Sequence, residues 1–155
     1  MVSSATTPAP SANSDSAIRL IAIDIDGTLL DSKGHIPEAN HQAIQNATAK
    51  GIEVVLATGR SFHHARPIAE RLGTPLILIV SNGALVKRPN GTTLGSNPIP
   101  RHLARDLVVA TRPVRTGAAL IFDRSDARQY IYEQIHWAHP QRSWYYERNK
   151  AYMTA

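Results

Sequence analysis

The chain of 155 residues contains no cysteine, so disulfide bonds and thiolate metal sites are excluded. No apolar run approaches the roughly 20 residues that a membrane-spanning helix needs. Residues 1–16 are rich in Ser, Ala, Thr and Pro, and they lack the basic and apolar segments of a secretory signal peptide. We therefore expect a disordered leader, no membrane association and a cytoplasmic location.

Charge is divided unevenly along the chain, whose net charge is +5. Residues 17–85 carry six Lys or Arg and six Asp or Glu. Residues 86–155 carry eleven Lys or Arg and five Asp or Glu. A basic half can attract phosphorylated small molecules or nucleic acid. Because the basic side chains are scattered rather than clustered, a solvated surface is favoured over a nucleic-acid site. A small phosphorylated metabolite is one of the two kinds of partner that this charge balance allows.

The first half of the chain alternates apolar runs with helical patterns. The apolar runs are continuous, as in strands that are buried on both faces of a parallel sheet. Proline near the start and glycine at the end mark the first helix, and glycine followed by proline ends the second. The order strand–helix–strand–helix–strand predicts an α/β fold with a parallel sheet. The predicted strands cover 18–24, 52–57 and 76–80, and the helices cover 37–50 and 61–72.

A different pattern follows residue 84. The residues Pro89-Asn90-Gly91 lie between two short apolar segments, which predicts a β-hairpin. Further along we predict a helix at 101–112 and strands at 117–123 and 129–133. Together these elements form a smaller α+β unit. We therefore divide the chain into a leader at 1–16, a core half at 17–84 and a second unit at 85–155.

Residues 134–155 show no clear period, and we assign them no element. His136, Trp137 and His139 lie close together there. Such a group suggests a metal site or a base-stacking site, and an irregular aromatic tail is the simpler interpretation.

Each predicted core strand ends in a polar residue, namely Asp24, Thr58 and Ser81. The carboxyl ends of parallel strands meet at one edge of a sheet, where ligands bind. A carboxylate there can attack phosphorus, and a second carboxylate can transfer a proton. A hydroxyl and backbone N–H groups can hold a phosphate, and Mg²⁺ would neutralise the crowded negative charge. The sequence therefore predicts a site for a metal and a phosphate.

Simpler interpretations exist for each motif taken alone. An Asp-x-Asp-Gly series also opens calcium-binding loops, although Leu29 stands where such a loop needs glycine. Thr58 alone is typical of a helix N-cap, and Arg60 of a surface ion pair. Asn82-Gly83 alone is typical of a turn.

Three motifs together resemble the haloacid dehalogenase-like (HAD) hydrolases, and most closely their Cof-type sugar-phosphate phosphatase branch. They are Asp24-Ile25-Asp26-Gly27-Thr28-Leu29-Leu30, Ala57-Thr58-Gly59-Arg60 and Ser81-Asn82-Gly83-Ala84. The resemblance covers residues 18 to about 133. It implies a Rossmann-like three-layer core, with residues 85–133 as the start of an α/β cap that selects the substrate.

The resemblance also implies roles for individual residues. Asp24 would be the nucleophile and an Mg²⁺ ligand. Asp26 would be the general acid and base, and would bind Mg²⁺ through its backbone carbonyl. Thr58 would bind the transferring phosphoryl group with the Gly59 amide, and Arg60 would join this phosphate-binding set. Asn82 and Gly83 would lie near the substrate.

The family also uses a downstream Lys and an acidic pair on a fourth core strand, and this sequence contains neither. The resemblance therefore implies an incomplete core, in which the first strand becomes an exposed edge and both core helices lie on one face. The chain is then a truncated phosphatase, a non-catalytic remnant, or a short protein completed by a partner chain or by self-association through that edge. A basic nucleic-acid-binding protein is the remaining alternative.

Overall fold

The computed structural model describes residues 18–115, 118–125, 128–132 and 138–153. The chain divides into two compact units after Leu94. The strands are β1 (Leu20–Asp24), β2 (Glu53–Ala57), β3 (Ile77–Val80), β4 (Leu85–Lys87), β5 (Thr93–Ser96), β6 (Ala119–Ile121) and β7 (Tyr130–Tyr132). The helices are α1 (Glu38–Ala49), α2 (Phe62–Leu72), α3 (Arg101–Thr111) and α4 (Pro140–Asn149).

The five strands β1 to β5 form one sheet in chain order. Strand β1 pairs in parallel with β2, and β2 pairs in parallel with β3. Strand β4 then pairs antiparallel with β3. This parallel-dominated sheet with connecting helices confirms the predicted α/β class, and every element predicted up to residue 80 is present with ends shifted by no more than two residues.

Both helices of the first unit contribute to one hydrophobic core. The core contains Ile44 from α1 and Leu72 from α2, together with Leu56 and Leu78 from the sheet. Gly73 ends α2 in the left-handed conformation, with φ of +61°, where a residue without Cβ is favoured. Because the two helices share this cluster, they lie on the same face of the sheet, as the sequence predicted.

Strand β1 lies at the edge of the sheet and pairs only with β2 among the described residues. Its side chains are incompletely covered, and Leu20 keeps 49% of its surface exposed. The predicted edge position of the first strand is therefore confirmed.

The predicted hairpin is present, and its two strands continue the sheet of the first unit. Gly91 donates a hydrogen bond to the Arg88 carbonyl, and Arg88 donates one to Thr92. A second unit beginning at residue 85 remains a prediction. In the structure β4 completes a ladder on β3, and the compact units divide ten residues later.

The second unit contains α3, the antiparallel pair β6–β7 and α4. Helix α4 was not predicted, although Pro140 in its first turn is a recognised helix-start signal. His139 precedes this helix, whereas His136 and Trp137 lie outside the described residues. Within the part of the chain that the structure describes, no helix is long and apolar enough to cross a membrane.

Candidate functional site

The loop after β1 carries the two predicted catalytic carboxylates. Asp24 is the last residue of β1, and Ile25–Leu29 form a tight turn closed by a hydrogen bond of 3.0 Å from the Leu30 N–H to the Ile25 carbonyl. Gly27 has φ of +82°, which only glycine adopts without strain. Ile25 and Leu29 are buried, whereas Asp24 and Asp26 are exposed. The apolar residues of the turn thus pack into the hydrophobic core, while both carboxylates stay at the surface.

Asn40 fixes the same turn from α1. Its side-chain amide donates hydrogen bonds to the carbonyls of Leu29, at 3.1 Å, and Thr28, at 3.4 Å. Sequence reasoning missed this residue. An Asn in the first turn of a helix gives no signal of its own, because its partner lies 11 residues earlier and the contact depends on packing.

The loop after β2 carries the predicted phosphate-binding residues. Thr58 is buried and accepts a hydrogen bond of 3.1 Å at its hydroxyl from the Arg60 N–H. Since Asp24 lies opposite Ala57 in the sheet register, Thr58 begins its loop beside the first carboxylate. Ser61, not Thr58, stands at the N-cap position of α2, so the alternative role of Thr58 as that cap is wrong.

The loop after β3 is strained. Ser81 and Asn82 have φ values of +53° and +55°, and Gly83 follows with +90°. Two consecutive non-glycine residues in the left-handed region are uncommon and tend to occur at functional sites. The turn that Asn82-Gly83 predicts is therefore present, and it brings the chain from β3 into β4.

Direct contacts join the second and third loops. Ser81 donates a backbone hydrogen bond of 2.8 Å to the Arg60 carbonyl, and Asn82 donates one of 3.4 Å to the Thr58 carbonyl. A Cβ atom at Gly59 would come within 2.8 Å of the Asn82 side-chain oxygen, which is closer than real Cβ contacts. A side chain at Gly59 would therefore displace the Asn82 side chain.

An ion pair joins the first and second loops. The Arg60 guanidinium contacts both carboxylate oxygens of Asp26, with Nε to Oδ2 at 2.9 Å and Nη2 to Oδ1 at 2.5 Å. The hydrogen bond to Asp26 raises the pKa of Arg60 above its ordinary value, so the guanidinium stays charged. All three loops with predicted site residues are thus brought together at the carboxyl edge of the parallel strands.

The arrangement supplies two carboxylates, a hydroxyl and several loop amides within one unit of the chain. No group of three or more His, Cys, Asp or Glu side chains suited to a metal ion occurs among the residues that the structure describes. The carboxylates of Asp24 and Asp26 offer oxygen atoms, which is the ligand type that a hard cation takes.

Comparison with known proteins identifies relatives of this chain. The family model for haloacid dehalogenase-like hydrolases matches residues 21–154. Phosphatase YwpJ of Bacillus subtilis (strain 168) is 40% identical over 91 residues, which are 59% of this chain and 32% of that protein. The 5-amino-6-(5-phospho-D-ribitylamino)uracil phosphatase YcsE of the same organism is 46% identical over 70 residues, which are 45% and 28% of the two chains. The chain thus spans about a third of the length of these relatives.

Solved structures are similar over a larger share of the chain. A haloacid dehalogenase-like hydrolase from B. subtilis has a TM-score of 0.60 and 36% identity, and the match covers 67% of this chain and 36% of that one. The HAD phosphatase BT1666 of Bacteroides thetaiotaomicron has a TM-score of 0.66 and 22% identity, covering 96% and 51%. At 22% identity, the similarity to BT1666 shows the fold alone.

Proposed function

The chain belongs to the haloacid dehalogenase-like hydrolase family. We propose that it forms all or part of an Mg²⁺-dependent phosphatase, which acts on small phosphorylated metabolites through an aspartyl phosphate. The observation that carries the proposal is the meeting of three loops. The hydrogen bonds from Ser81 to Arg60 and from Arg60 to Asp26 connect them at the edge where β1 ends in Asp24. The residues proposed as nucleophile, proton carrier and phosphate-binding groups thus lie on three loops that contact one another.

In the first step a carboxylate oxygen of Asp24 attacks the phosphorus in line, and the bond from phosphorus to the leaving oxygen breaks. Asp26 in its protonated form donates its proton to that leaving oxygen. In the second step Asp26, now a carboxylate, takes a proton from a water molecule whose oxygen attacks the same phosphorus, and the bond from phosphorus to the Asp24 oxygen breaks. Inorganic phosphate leaves, and the Asp24 carboxylate is restored.

Thr58 and Gly59 are proposed to hold the phosphoryl group during both steps. The Thr58 hydroxyl oxygen already accepts a hydrogen bond from the Arg60 N–H, so its own proton is available to a phosphate oxygen. Gly59 is exposed, and its amide is proposed as a second donor to the phosphate. Asn82 and Gly83, whose loop contacts both residues, are proposed to line the substrate position.

The donor set fits Mg²⁺ in kind. The Asp24 carboxylate and the Asp26 backbone carbonyl are hard oxygen ligands, and Mg²⁺ commonly takes one or two carboxylates with waters and substrate phosphates. The ion would supply neutralisation of negative charge between the Asp24 carboxylate and the phosphate.

Small phosphate esters are the proposed substrates, with sugar phosphates as the first class to test. The name of YcsE describes a phosphate ester on a ribityl chain, which is a sugar-alcohol group. The excess of positive charge in residues 86–155 would attract an anionic small molecule. A cytoplasmic location remains part of this proposal.

The test is hydrolysis of p-nitrophenyl phosphate and a panel of sugar phosphates by the purified chain with and without Mg²⁺. Asp24→Asn is expected to lower kcat by about 10³-fold or more, because the nucleophile is lost. Asp106→Asn, an exposed change of the same kind on α3, is the matched control and should leave turnover unchanged. Full turnover by Asp24→Asn would refute the assigned nucleophile, and no turnover of any ester would refute the activity of this chain.

We further propose that the chain corresponds to the N-terminal portion of a longer phosphatase, since it spans 32% and 28% of the two curated relatives described above. Sequencing the native transcript past the codon for Ala155 tests this. A continuing frame that encodes a Lys and then an acidic strand end supports it, and a secure stop codon contradicts it.

As the alternative to a longer phosphatase, we propose that the edge of β1, which pairs only with β2 among the described residues, pairs with another chain, with a second copy as the simplest partner. Unpaired strand edges that carry apolar side chains favour such pairing. Leu20 on this strand and Ile18 just before it are exposed. Sedimentation should show self-association that Leu20→Lys abolishes, and a monomer at all concentrations would contradict the proposal.

A further inference from the structure

Arg60 holds Asp26 by two hydrogen bonds rather than one. Its Nε and Nη2 atoms contact different oxygens of the same carboxylate, at 2.9 Å and 2.5 Å. A bidentate guanidinium–carboxylate pair fixes both the position and the plane of the carboxylate. A single contact, such as a Lys can make, fixes neither. The two residues are 34 positions apart, so the pair is a tertiary contact between loops.

Arg60 is itself firmly held. Its N–H donates to the Thr58 hydroxyl at 3.1 Å, and its carbonyl accepts from the Ser81 N–H at 2.8 Å. Its side chain is 22% exposed, whereas that of Asp26 is 58% exposed. An anchored, largely buried cation therefore restrains an exposed carboxylate on a turn. Arg60 on the loop after β2 thus restrains Asp26 on the loop after β1.

Asp24 differs from Asp26 in this respect. Among the residues that the structure describes, the Asp24 carboxylate makes no hydrogen bond or ion pair. The Arg60 cation thus binds selectively to the second carboxylate, although the two lie two residues apart. A general electrostatic role in neutralising the site would not require this selection.

We propose that Arg60 is a positioning residue that holds the Asp26 side chain in place for proton transfer, and that it does not bind the phosphoryl group. When Asp26 carries its proton, one oxygen keeps its contact with Arg60 and the other carries the O–H. This inference rests on the proposed function of Asp26 as proton carrier. It assigns the phosphate contacts of the second loop to Thr58 and Gly59.

The experiment compares Arg60→Lys and Arg60→Gln with the unaltered chain on two esters. One is p-nitrophenyl phosphate, whose leaving group needs little protonation, and the other is glycerol phosphate, whose alkoxide leaving group needs an acid. A misplaced Asp26 should lower kcat for glycerol phosphate by about 10²-fold. The aryl ester should change far less, and inhibition by inorganic phosphate should be unaltered.

The lysine variant separates the two roles of the residue. Lysine binds phosphate as a point charge, so if Arg60 were a phosphate ligand, Arg60→Lys would keep part of the phosphate affinity and of the activity on both esters. A positioning residue needs the bidentate contact, so Lys should fail as Gln does. Recovery by Lys, or equal loss on both esters with weakened inhibition by phosphate, would overturn the proposal.

Arg66→Gln provides the matched control. Arg66 pairs with Glu70 at 2.7 Å on the exposed face of α2, so this change also removes an arginine and its ion pair. Turnover of both esters by this variant should equal that of the unaltered chain. Thermal unfolding of all three variants identifies any loss that is due to misfolding.

A second measurement needs no activity and separates this inference from the proposed function. In ¹⁵N NMR spectra of the full chain, the Arg60 Nε–H should give a resolved signal that exchanges slowly with water. Asp26→Ala should abolish that protection. If no ester is hydrolysed yet the signal behaves in this way, the proposed activity fails and the positioning contact stands. An unprotected signal in the unaltered chain would overturn the contact itself.

Discussion

The two units of this chain differ in how much apolar surface they bury. The first unit contains one cluster of fourteen buried hydrophobic residues, drawn from sheet, turn and both helices. In the described part of the second unit, Tyr130 is the sole buried hydrophobic residue, and α3 buries none. Hydrophobic burial is the main favourable term in folding. The unit that carries the candidate site is therefore the one with its own core.

The second unit relies on aromatic contacts instead. The rings of Tyr130, Tyr132 and Tyr145 lie 6.2 to 6.4 Å apart, in one stacked and two edge-to-face arrangements. Asn149 is buried and donates a hydrogen bond of 2.7 Å to the Tyr145 carbonyl. These contacts are worth less than a filled core, since an aromatic pair adds only about 0.5–1.5 kcal/mol beyond its buried area.

The largest expected effect is the loss of a core side chain in the first unit. Leu56→Ala removes a fully buried side chain and should lower the free energy of unfolding by about 2–5 kcal/mol. Leu107→Ala on α3, where the side chain is 47% exposed, should change it by roughly 0.5 kcal/mol or less. Urea denaturation of both variants checks this. Equal losses would mean that the two units are equally well packed.

The contact between the second and third loops should show the next largest effect. Gly59→Ala places a Cβ atom against the Asn82 side-chain oxygen and should cost about 1–3 kcal/mol of unfolding free energy. In an Asn82→Ala background the same change should cost less, because the opposing atom is gone. A double-mutant cycle by urea denaturation measures the difference. Additive costs would contradict the contact.

Relief of strain after β3 should have a smaller effect of opposite sign. Ser81 has φ of +53°, and its buried hydroxyl has no hydrogen-bond partner among the described residues. Ser81→Gly removes both penalties and should raise the free energy of unfolding by about 1 kcal/mol. Leu107→Ala serves again as the reference outside the loop. A destabilised Ser81→Gly chain would show that the hydroxyl is satisfied.

The smallest effect belongs to the second unit and depends on pH. Burial, followed by the neighbouring tyrosines, raises the pKa of Tyr132 above its ordinary 10.0. Because the folded pKa exceeds the unfolded one, this contribution to stability is complete below the unfolded value and is lost as pH rises through the folded value. Ultraviolet titration should show one late tyrosinate component that Tyr132→Phe removes. Retention of that component would exclude Tyr132 as its source.

Much of the first unit could be predicted because its signals are local. Continuous apolar runs indicated β1, β2 and β3, and glycine marked the end of both helices. Helix α4 was missed, because the sequence at Pro140–Asn149 is polar and aromatic without a clear apolar stripe. Its start signal at Pro140 was present but was not supported by periodicity.

The candidate site divides in the same way. Asp24, Thr58 and Ser81 were identified because they stand at the carboxyl ends of predicted strands, and strand order places such residues at one edge. The role of Asn82 was implied by the family resemblance. Asn40 was missed, and the partner of Arg60 was not foreseen. Both contacts depend on where loops distant in sequence pass each other, which local patterns do not encode.

The sequence by itself determined the order of strands and helices and the polar residues that end the core strands, since both follow from short-range periodicity and turn chemistry. Only the tertiary structure decided that Arg60 binds Asp26 rather than Asp24, and that the Asn82 side chain lies against Gly59. The contact between Arg60 and Asp26 depends on distances of 2.5 and 2.9 Å between side chains 34 residues apart. Such distances are set by the packing of the whole first unit.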